Sequence, residues 1–244
     1  MPLRTKLLLI ILDGLPWRNW KPFMGGLEGF VQSGQAKVWR MRSVLPSTSA
    51  CCYASIHTGV PPQGHGIHSN EFRGKVSQPD IFSEVTRGGG KTGAVAHSYW
   101  SEFFNRFPFE HVRDIEYDEP DGPITHGRFH TMTGYGPVNQ MTPSDVDLFA
   151  TLTRLVELKG IDYGILHTCT VDSLGHRVGQ GVVEMDNALY YLDAALTGFL
   201  PRWLAAGCEV IVTADHGQTV RGHHGGHDDE MQDVALYYFG AGEG

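Results

Sequence analysis

The sequence lacks two features, a long apolar run and a cysteine framework. The run Leu7–Leu12 ends at Asp13 after six residues, whereas a membrane span needs about 20 apolar residues and a secretory signal core about 7 to 15. The four cysteines, at positions 51, 52, 169 and 208, have no spacing typical of disulfides or of a thiolate zinc site. We therefore expect a cytoplasmic protein with reduced thiols and no membrane partner.

Positive charge is also scarce. The 244 residues include 19 Lys and Arg against 27 Asp and Glu, which gives a formal net charge of −8. Binding to a nucleic-acid polymer depends on Lys and Arg that neutralise phosphates, so such a partner is not expected. Carboxylates that bind divalent cations count as unpaired negative charge in this sum, so part of the acidity is consistent with a metal site.

Short apolar runs alternate with segments of helical period. The strand-like runs are Leu7–Leu12, Ala94–Ala96, Tyr163–Leu166, Val210–Val212 and Val234–Phe239. The helical segments are Cys52–Thr58, Ile81–Thr86, Val146–Leu158 and Val182–Leu204. This alternation predicts an α/β fold with a mostly parallel central sheet and helices on both faces, in a single domain over residues 1–244.

The segment 98–141 has a different texture. It has no clear period, several Gly and Pro, and nine aromatic residues. We predict a small inserted cap or lid here. Its rings would form an apolar wall for a substrate leaving group or would pack the insert onto the sheet, and packing is favoured for any single ring.

Acidic residues follow three of the predicted strands. Asp13 comes directly after the first run, Asp215 lies just beyond the run that ends at Val212, and Asp172 follows the run through Cys169. A single Asp at a strand end is as often a helix cap or turn former as a ligand. Because the carboxyl ends of parallel strands meet at one edge of a sheet, three such residues predict a functional cluster.

Histidines accompany two of these carboxylates. His176 lies four residues after Asp172 in what we predict to be a glycine-containing loop, and His216 directly follows Asp215. Residues 222–228 add three more histidines between glycines. Mixed Asp and His ligation without thiolate favours Zn²⁺, with Mn²⁺ as an alternative. No role is assigned to His57, His68, His97, His111, His126, His130 and His167.

Together the motifs resemble the type I phosphodiesterase and nucleotide pyrophosphatase branch of the alkaline phosphatase superfamily. They are Asp13-Gly14, Leu45 to Ser49, Thr58-Gly59 with Pro62 and His65 to Ile67, Asp172 to His176, Asp215 to Gly217, and His224 to Gly226. The resemblance implies an alkaline phosphatase-like fold and a hydrolase with two divalent metal ions. No motif of this family matches residues 71–160.

The resemblance also implies roles for individual residues. The family's Thr or Ser nucleophile falls on Ser49. One metal ion would be held by Asp13, Asp215, His216 and Ser49, and the other by Asp172, His176 and a later histidine. His224 fits that last ligand best because Gly-Gly follows it, with His223 and His227 as alternatives.

A further correspondence supports Ser49 over Ser47 and Thr48. In the nucleotide pyrophosphatases an Asn lies 21 residues beyond the nucleophile and donates to a phosphate oxygen, and here that position is Asn70. The mechanism implied is a two-step in-line displacement through a phosphoserine. Two divalent cations would balance the charge of Asp13, Asp172, Asp215 and an ionised Ser49.

The substrate class follows from local charge. Between Arg42 and Arg73 there is no Lys or Arg, so we expect phosphodiesters or nucleotide pyrophosphates to be preferred over the more highly charged monoesters. Arg106, Arg113 or Arg128 would reverse this if one reached the site. Open alternatives are a phosphomonoesterase, a phosphonoacetate hydrolase, a phosphoethanolamine transferase and a phosphomutase. A metal-binding protein without turnover is disfavoured, and sulfatases are set aside because residues 51–55 lack their Pro and Arg.

Overall fold

A computed structural model describes residues 5–132 and 141–240 of the chain. Its strands are β1 (Lys6–Leu12), β2 (Lys37–Arg42), β3 (Thr92–His97), β4 (Glu116–Asp118), β5 (His126–His130), β6 (Tyr163–Thr168), β7 (Cys208–Thr213) and β8 (Asp233–Phe239). Its helices are α1 (Trp17–Phe23), α2 (Gly25–Gln32), α3 (Ser49–Thr58), α4 (Pro62–His65), α5 (Ile81–Arg87), α6 (Tyr99–Phe104), α7 (His111–Asp114), α8 (Asp145–Arg154), α9 (Thr170–Val178), α10 (Val183–Ala205) and α11 (Asp229–Gln232). Helix α8 continues as a π-helical segment, Leu155–Lys159. Within the described ranges, no helix combines the length and hydrophobicity needed to cross a bilayer.

The strands form one sheet in the order β2-β8-β7-β1-β6-β3-β5-β4. Its five central strands, β7, β1, β6, β3 and β5, pair in parallel. The pairs β2–β8, β7–β8 and β4–β5 are antiparallel. The prediction of an α/β fold around a mostly parallel sheet is confirmed.

Strand β1 shows how the sheet is covered on both sides. Leu8, Ile10 and Leu12 belong to one core cluster, with apolar side chains of α8 and α10. Leu9 and Ile11 belong to a second cluster, with side chains of α3, α5 and α6. Successive side chains of a strand point to opposite faces of the sheet. A continuous apolar run is therefore typical of a strand whose side chains are buried on both faces.

The described part of the predicted cap contributes to the sheet and to the second core cluster. Strands β4 and β5 extend the sheet beside β3, and Trp100, Phe103 and Phe104 are buried in the cluster. These rings therefore have the packing role that was favoured. Residues 133–140 lie outside the described residues, and a lid function for 98–141 stays a prediction.

This segment is fastened by a buried carboxylate, Asp114. It accepts hydrogen bonds from Arg113 Nε (2.7 Å), Arg106 Nη1 (2.9 Å) and the backbone N–H of Glu110 (2.8 Å). Burial alone would raise the pKa of Asp114, but the bond from Arg113, the Glu110 N–H and Arg106 together lower it to about 2.

We expect acid to weaken this fastening within a defined pH window. Because the folded-state pKa of Asp114 is about 2 and its ordinary value is 3.8, the stabilisation is present above pH 3.8 and is lost as pH falls towards 2. Asp114→Asn should lower the free energy of unfolding at pH 7 by about 1–2 kcal/mol. Denaturant melts from pH 2 to 7 measure this. A variant that keeps the wild-type slope of stability below pH 4 would contradict the assignment.

Candidate metal centre and nucleophile

The predicted site residues meet at the carboxyl edge of the central strands. Asp13 directly follows β1 and Asp215 lies two residues beyond β7, which is paired with β1. Asp172 lies in α9, which follows β6 on the other side of β1. The parallel order thus brings together three carboxylates that are far apart in sequence.

The carboxylate of Asp13 is held through one oxygen and free at the other. Its Oδ2 accepts hydrogen bonds from the Tyr53 hydroxyl and from Nε2 of His167, the latter at 2.9 Å. Its Oδ1 is buried and has no hydrogen-bond partner in the described structure. Burial favours the neutral acid, yet the pKa of Asp13 is lowered, chiefly by the hydrogen bond from His167.

Asp215 has the same arrangement. Its Oδ1 accepts from the backbone N–H of Gly14 at 3.2 Å, and its buried Oδ2 lacks a hydrogen-bond partner among the described residues. Burial and the neighbouring charge of Asp13 raise the pKa of Asp215 well above its ordinary value. Gly14 is required here, since it adopts a φ of +73° and a Cβ would lie 2.8 Å from Cβ of Asp172.

Two histidines turn their Nε2 atoms towards the carboxylates of the cluster, His216 towards Asp13 and Asp215 and His224 towards Asp172. Nδ1 of His216 donates to the carbonyl of Gly217 at 3.1 Å, and Nδ1 of His224 donates to the carbonyl of Ser47 at 3.2 Å. Because each carbonyl fixes the tautomer, Nε2 of each ring is left with a lone pair. The rings stack with centroids 4.0 Å apart. Burial, with the nearby His216, lowers the pKa of His224 to about 4.

Asp172 and His176 lie on a helix, and the expected glycine-containing loop is wrong. Helix α9 begins at Thr170, so Asp172 and His176 are four residues apart on one helical face. Their Oδ2 and Nε2 atoms are 3.4 Å apart. The bond to Asp172 raises the pKa of His176. Nε2 of His224 lies 3.8 Å from Oδ1 of Asp172, which joins the two histidines through one carboxylate.

Ser49 stands at the start of α3, beside this cluster. It is buried, and its Oγ lies 3.2 Å from Nε2 of His216. Oδ1 of Asn70 accepts the backbone N–H of Ala50 at 2.9 Å. This bond occupies Oδ1 of Asn70 and ties its amide to the residue after Ser49.

The donor set fits divalent cations. Within the described residues, two groups bring one possible ligand atom of each member within 4.8 Å of the others, Asp13–Asp215–His216 and Asp172–His216–His224, and His176 belongs to neither. Two buried carboxylate oxygens without partners are expensive unless a cation meets them. His223 and His227 are exposed, so the geometry favours His224 over both. A third group, Asp13–His167–Cys169, fits less well because burial raises the pKa of the Cys169 thiol well above its ordinary value.

Sequence reasoning missed Tyr53 and His167, which support Asp13. His167 was left without a role, although a signal existed. It lies near the end of β6 and opposite Ile11 of the parallel strand β1. The end of one strand and the end of its parallel neighbour are adjacent at the sheet edge, so a histidine there can reach Asp13.

Fold and site together define an α/β protein with a carboxylate–histidine centre suited to divalent cations. The family model for type I phosphodiesterase / nucleotide pyrophosphatase matches residues 7–233. The chain belongs to this family, and the resemblance inferred from the motifs is confirmed.

Similar proteins include transferases as well as hydrolases. GPI ethanolamine phosphate transferase 3, catalytic subunit, from Mus musculus is 33% identical over 223 residues, which are 89% of this chain and 19% of that protein. This chain therefore spans about a fifth of that relative. Murine ectonucleotide pyrophosphatase / phosphodiesterase 5, as an inactive variant in complex with AMP, has a TM-score of 0.64 at 19% identity, covering 88% of this chain and 58% of that one. The periplasmic domain of EptC from Escherichia coli in complex with Zn has a TM-score of 0.62 at 12% identity, covering 98% and 74%.

Proposed function

We propose that this chain hydrolyses phosphodiesters or nucleotide-type pyrophosphates, with Ser49 as the nucleophile and a phosphoserine intermediate. One observation carries the proposal. The Ser49 hydroxyl stands 3.2 Å from Nε2 of His216, within a cluster whose buried carboxylate oxygens lack partners among the described residues. A serine hydroxyl needs such an environment to act as a nucleophile at neutral pH.

The ligands we assign fall into two sets. Asp13, Asp215, His216 and Ser49 would hold one divalent ion, and Asp172, His176 and His224 the other, with Zn²⁺ favoured by the donors and Mn²⁺ as the alternative. When bound, the ions would lower the pKa of the Ser49 hydroxyl and neutralise developing charge on the phosphoryl and leaving-group oxygens.

The chain's own groups account for positioning. Ser49 is the first residue of the ten-residue helix α3, so the positive end of the helix dipole lies at the phosphoryl group that Ser49 would attack. Asn70 adds a hydrogen bond from its NH₂ group, since its Oδ1 is occupied by the N–H of Ala50. The Ser49 oxygen attacks phosphorus, the ester oxygen leaves from the opposite side, and water then cleaves the phosphoserine.

The proposed preference for diesters depends on whether an arginine side chain can reach the phosphoryl group. The three arginines that could have reversed it are engaged elsewhere. Arg106 and Arg113 pair with Asp114, and Arg128 pairs with Glu116 and Asp118.

Another arginine, Arg73, lies beside Asn70. It donates to the backbone carbonyls of Asn70 and Phe72 and stands over the Tyr99 ring. These contacts hold the exposed guanidinium on carbonyl oxygens, so we assign the phosphoryl contact to the neutral amide of Asn70. A neutral donor matches the single charge of a diester better than the dianion of a monoester.

We expect kcat/KM for bis(p-nitrophenyl) phosphate or a nucleotide phenyl diester to exceed that for p-nitrophenyl phosphate by about tenfold or more. Both substrates are compared at one concentration of Zn²⁺ and again with Mn²⁺. An Arg73→Gln variant serves as the control for the nearby cation. A tenfold preference for the monoester that disappears in Arg73→Gln would refute the diester assignment and identify Arg73 as the clamp.

The named relatives favour a second candidate, a phosphoethanolamine-type transferase on the same site. A transferase would pass the group held on Ser49 to an alcohol instead of water. Product analysis with and without an added alcohol separates the two. A phosphomonoester product whose yield is unchanged by alcohol supports the hydrolase, whereas a new diester with the added alcohol as the main product supports the transferase.

A further inference from the structure

A line of three buried carboxamides ends on the metal-site carboxylate of Asp172. Nδ2 of Asn19 donates to Oε1 of Gln180 at 2.6 Å, and Nε2 of Gln180 donates to Oε1 of Gln218 at 2.9 Å. Nε2 of Gln218 then donates to Oδ1 of Asp172 at 2.6 Å and to its backbone carbonyl at 3.1 Å. Asn19, Gln180 and Gln218 are at most 6% exposed.

The carboxylate sets the direction of the whole line. An ionised Asp172 only accepts hydrogen bonds, so Gln218 must turn its NH₂ group towards it. The Gln218 oxygen then faces Gln180, which must donate, and the Gln180 oxygen in turn needs the NH₂ group of Asn19. One orientation of each amide satisfies every bond, and reversing Gln180 or Gln218 breaks the bonds on both of its sides.

Three separate parts of the fold supply this line. Asn19 lies in α1, Gln180 lies between α9 and α10, and Gln218 lies beyond β7. Gly179 and Gly181, which flank Gln180, both have positive φ angles, of +77° and +74°. The absence of a side chain at Gly175 also leaves room for Gln218 and Gln180. A Cβ on Gly175 would lie 1.7 Å from Oε1 of Gln218 and 3.0 Å from Nε2 of Gln180.

We propose that Asn19, Gln180 and Gln218 form a directional relay that positions Asp172 for metal binding. The relay fixes the rotation of the carboxylate through Oδ1, as Tyr53 and His167 fix Asp13 and Gly14 fixes Asp215. Its donors are neutral, so it orients the ligand without adding positive charge that would oppose a cation. The inference rests on the metal site of the proposed function and adds three positioning residues outside the ligand set.

The test compares metal affinities in the absence of substrate. Apo protein is titrated with Zn²⁺ against a competing chelator, and the thermal midpoint of each variant is measured in parallel. Gln218→Met removes the donor at similar size and should weaken one of the two metal sites by about 10- to 100-fold. Gln232→Met is the control, since Gln232 is equally buried, bonds Arg42 and lies outside the relay.

A pair of variants at the far end tests the direction. Asn19→Asp offers only acceptors to the Gln180 oxygen, so Gln180 and then Gln218 must turn and present an oxygen to Asp172. Asn19→Leu removes the donor without forcing a turn. We expect metal affinity to fall by about tenfold or more in Asn19→Asp and by less than about threefold in Asn19→Leu.

Either of two results would overturn the relay. One is metal affinity within about threefold of wild type in Gln218→Met, and the other is equal affinity in Asn19→Asp and Asn19→Leu. If Gln218→Met does not fold, the Asn19 pair still decides the matter at a position remote from the metals. A wild-type protein that binds the ions but cleaves no diester would refute the proposed function and leave the relay intact.

Discussion

Ser49→Ala should reduce phosphodiester turnover by about 10⁴-fold or more while leaving metal content nearly unchanged. The nucleophilic oxygen is removed, but the carboxylates and imidazoles of both metal sets remain. Helix α3 should be preserved because alanine favours helix and the residue before it, Thr48, keeps its extended conformation. Turnover of a chromogenic diester and elemental analysis of the same sample measure the two quantities.

The matched control is Thr48→Ala. The Thr48 hydroxyl donates to Sγ of Cys51 at 3.1 Å, whereas that of Ser49 faces His216. We expect Thr48→Ala to keep turnover within about tenfold of wild type, and a radiolabelled phosphoryl group to be trapped on wild type and Thr48→Ala only. A Ser49→Ala protein with more than a few per cent of wild-type turnover, beside an inactive Thr48→Ala, would move the nucleophile to Thr48.

The sequence predicts the buried centre of the sheet well, because burial on both faces demands continuous apolar runs. Strands β1, β3, β6, β7 and β8 all contain such runs. Strand β2 was missed because Lys37, Arg40 and Arg42 make the edge strand look like a polar surface segment. Arg40 pairs with Asp233 of β8, a contact between distant parts of the chain that no local pattern reveals.

For two of the proposed ligands, the sequence predicted the backbone wrongly. Asp172 and His176 were recognised from their spacing, but the glycine between them suggested a loop. In the structure Gly175 lies inside α9, where its missing side chain makes room for Gln218. A glycine in a helical segment normally indicates flexibility or the end of the helix. Here the glycine is needed because a side chain would collide with Gln218, which is remote in sequence.

The supporting residues were the least predictable part of the site. Tyr53 lies in the helix that begins at Ser49, and no sequence pattern marks it as part of the site. Asn19, Gln180 and Gln218 belong to no motif. Each acts through a hydrogen bond to a residue remote in sequence. Such partners become visible only when the parallel sheet has brought its strand ends together.

His224, the last metal ligand that we propose, gives the second large effect that we expect. His224→Ala should remove one of two bound ions and lower turnover by about 100-fold or more, because loss of an outer partner of a ligand already costs about 10- to 100-fold. His224 supplies the Nε2 lone pair 3.8 Å from Asp172, and its ring stacks on His216. Metal content after dialysis against a weak chelator, together with turnover of the diester, provides the measurement.

His223→Ala and His227→Ala are the matched controls within the same glycine-rich stretch. Both side chains are exposed, and the backbone N–H of His223 is bonded to the Thr219 hydroxyl at 3.1 Å, a contact that alanine retains. Both variants should therefore keep two ions and turnover within about threefold of wild type, as is usual for surface substitutions. If His227→Ala loses an ion while His224→Ala retains both, the ligand lies three residues further along the chain and the loop must close over the metals differently.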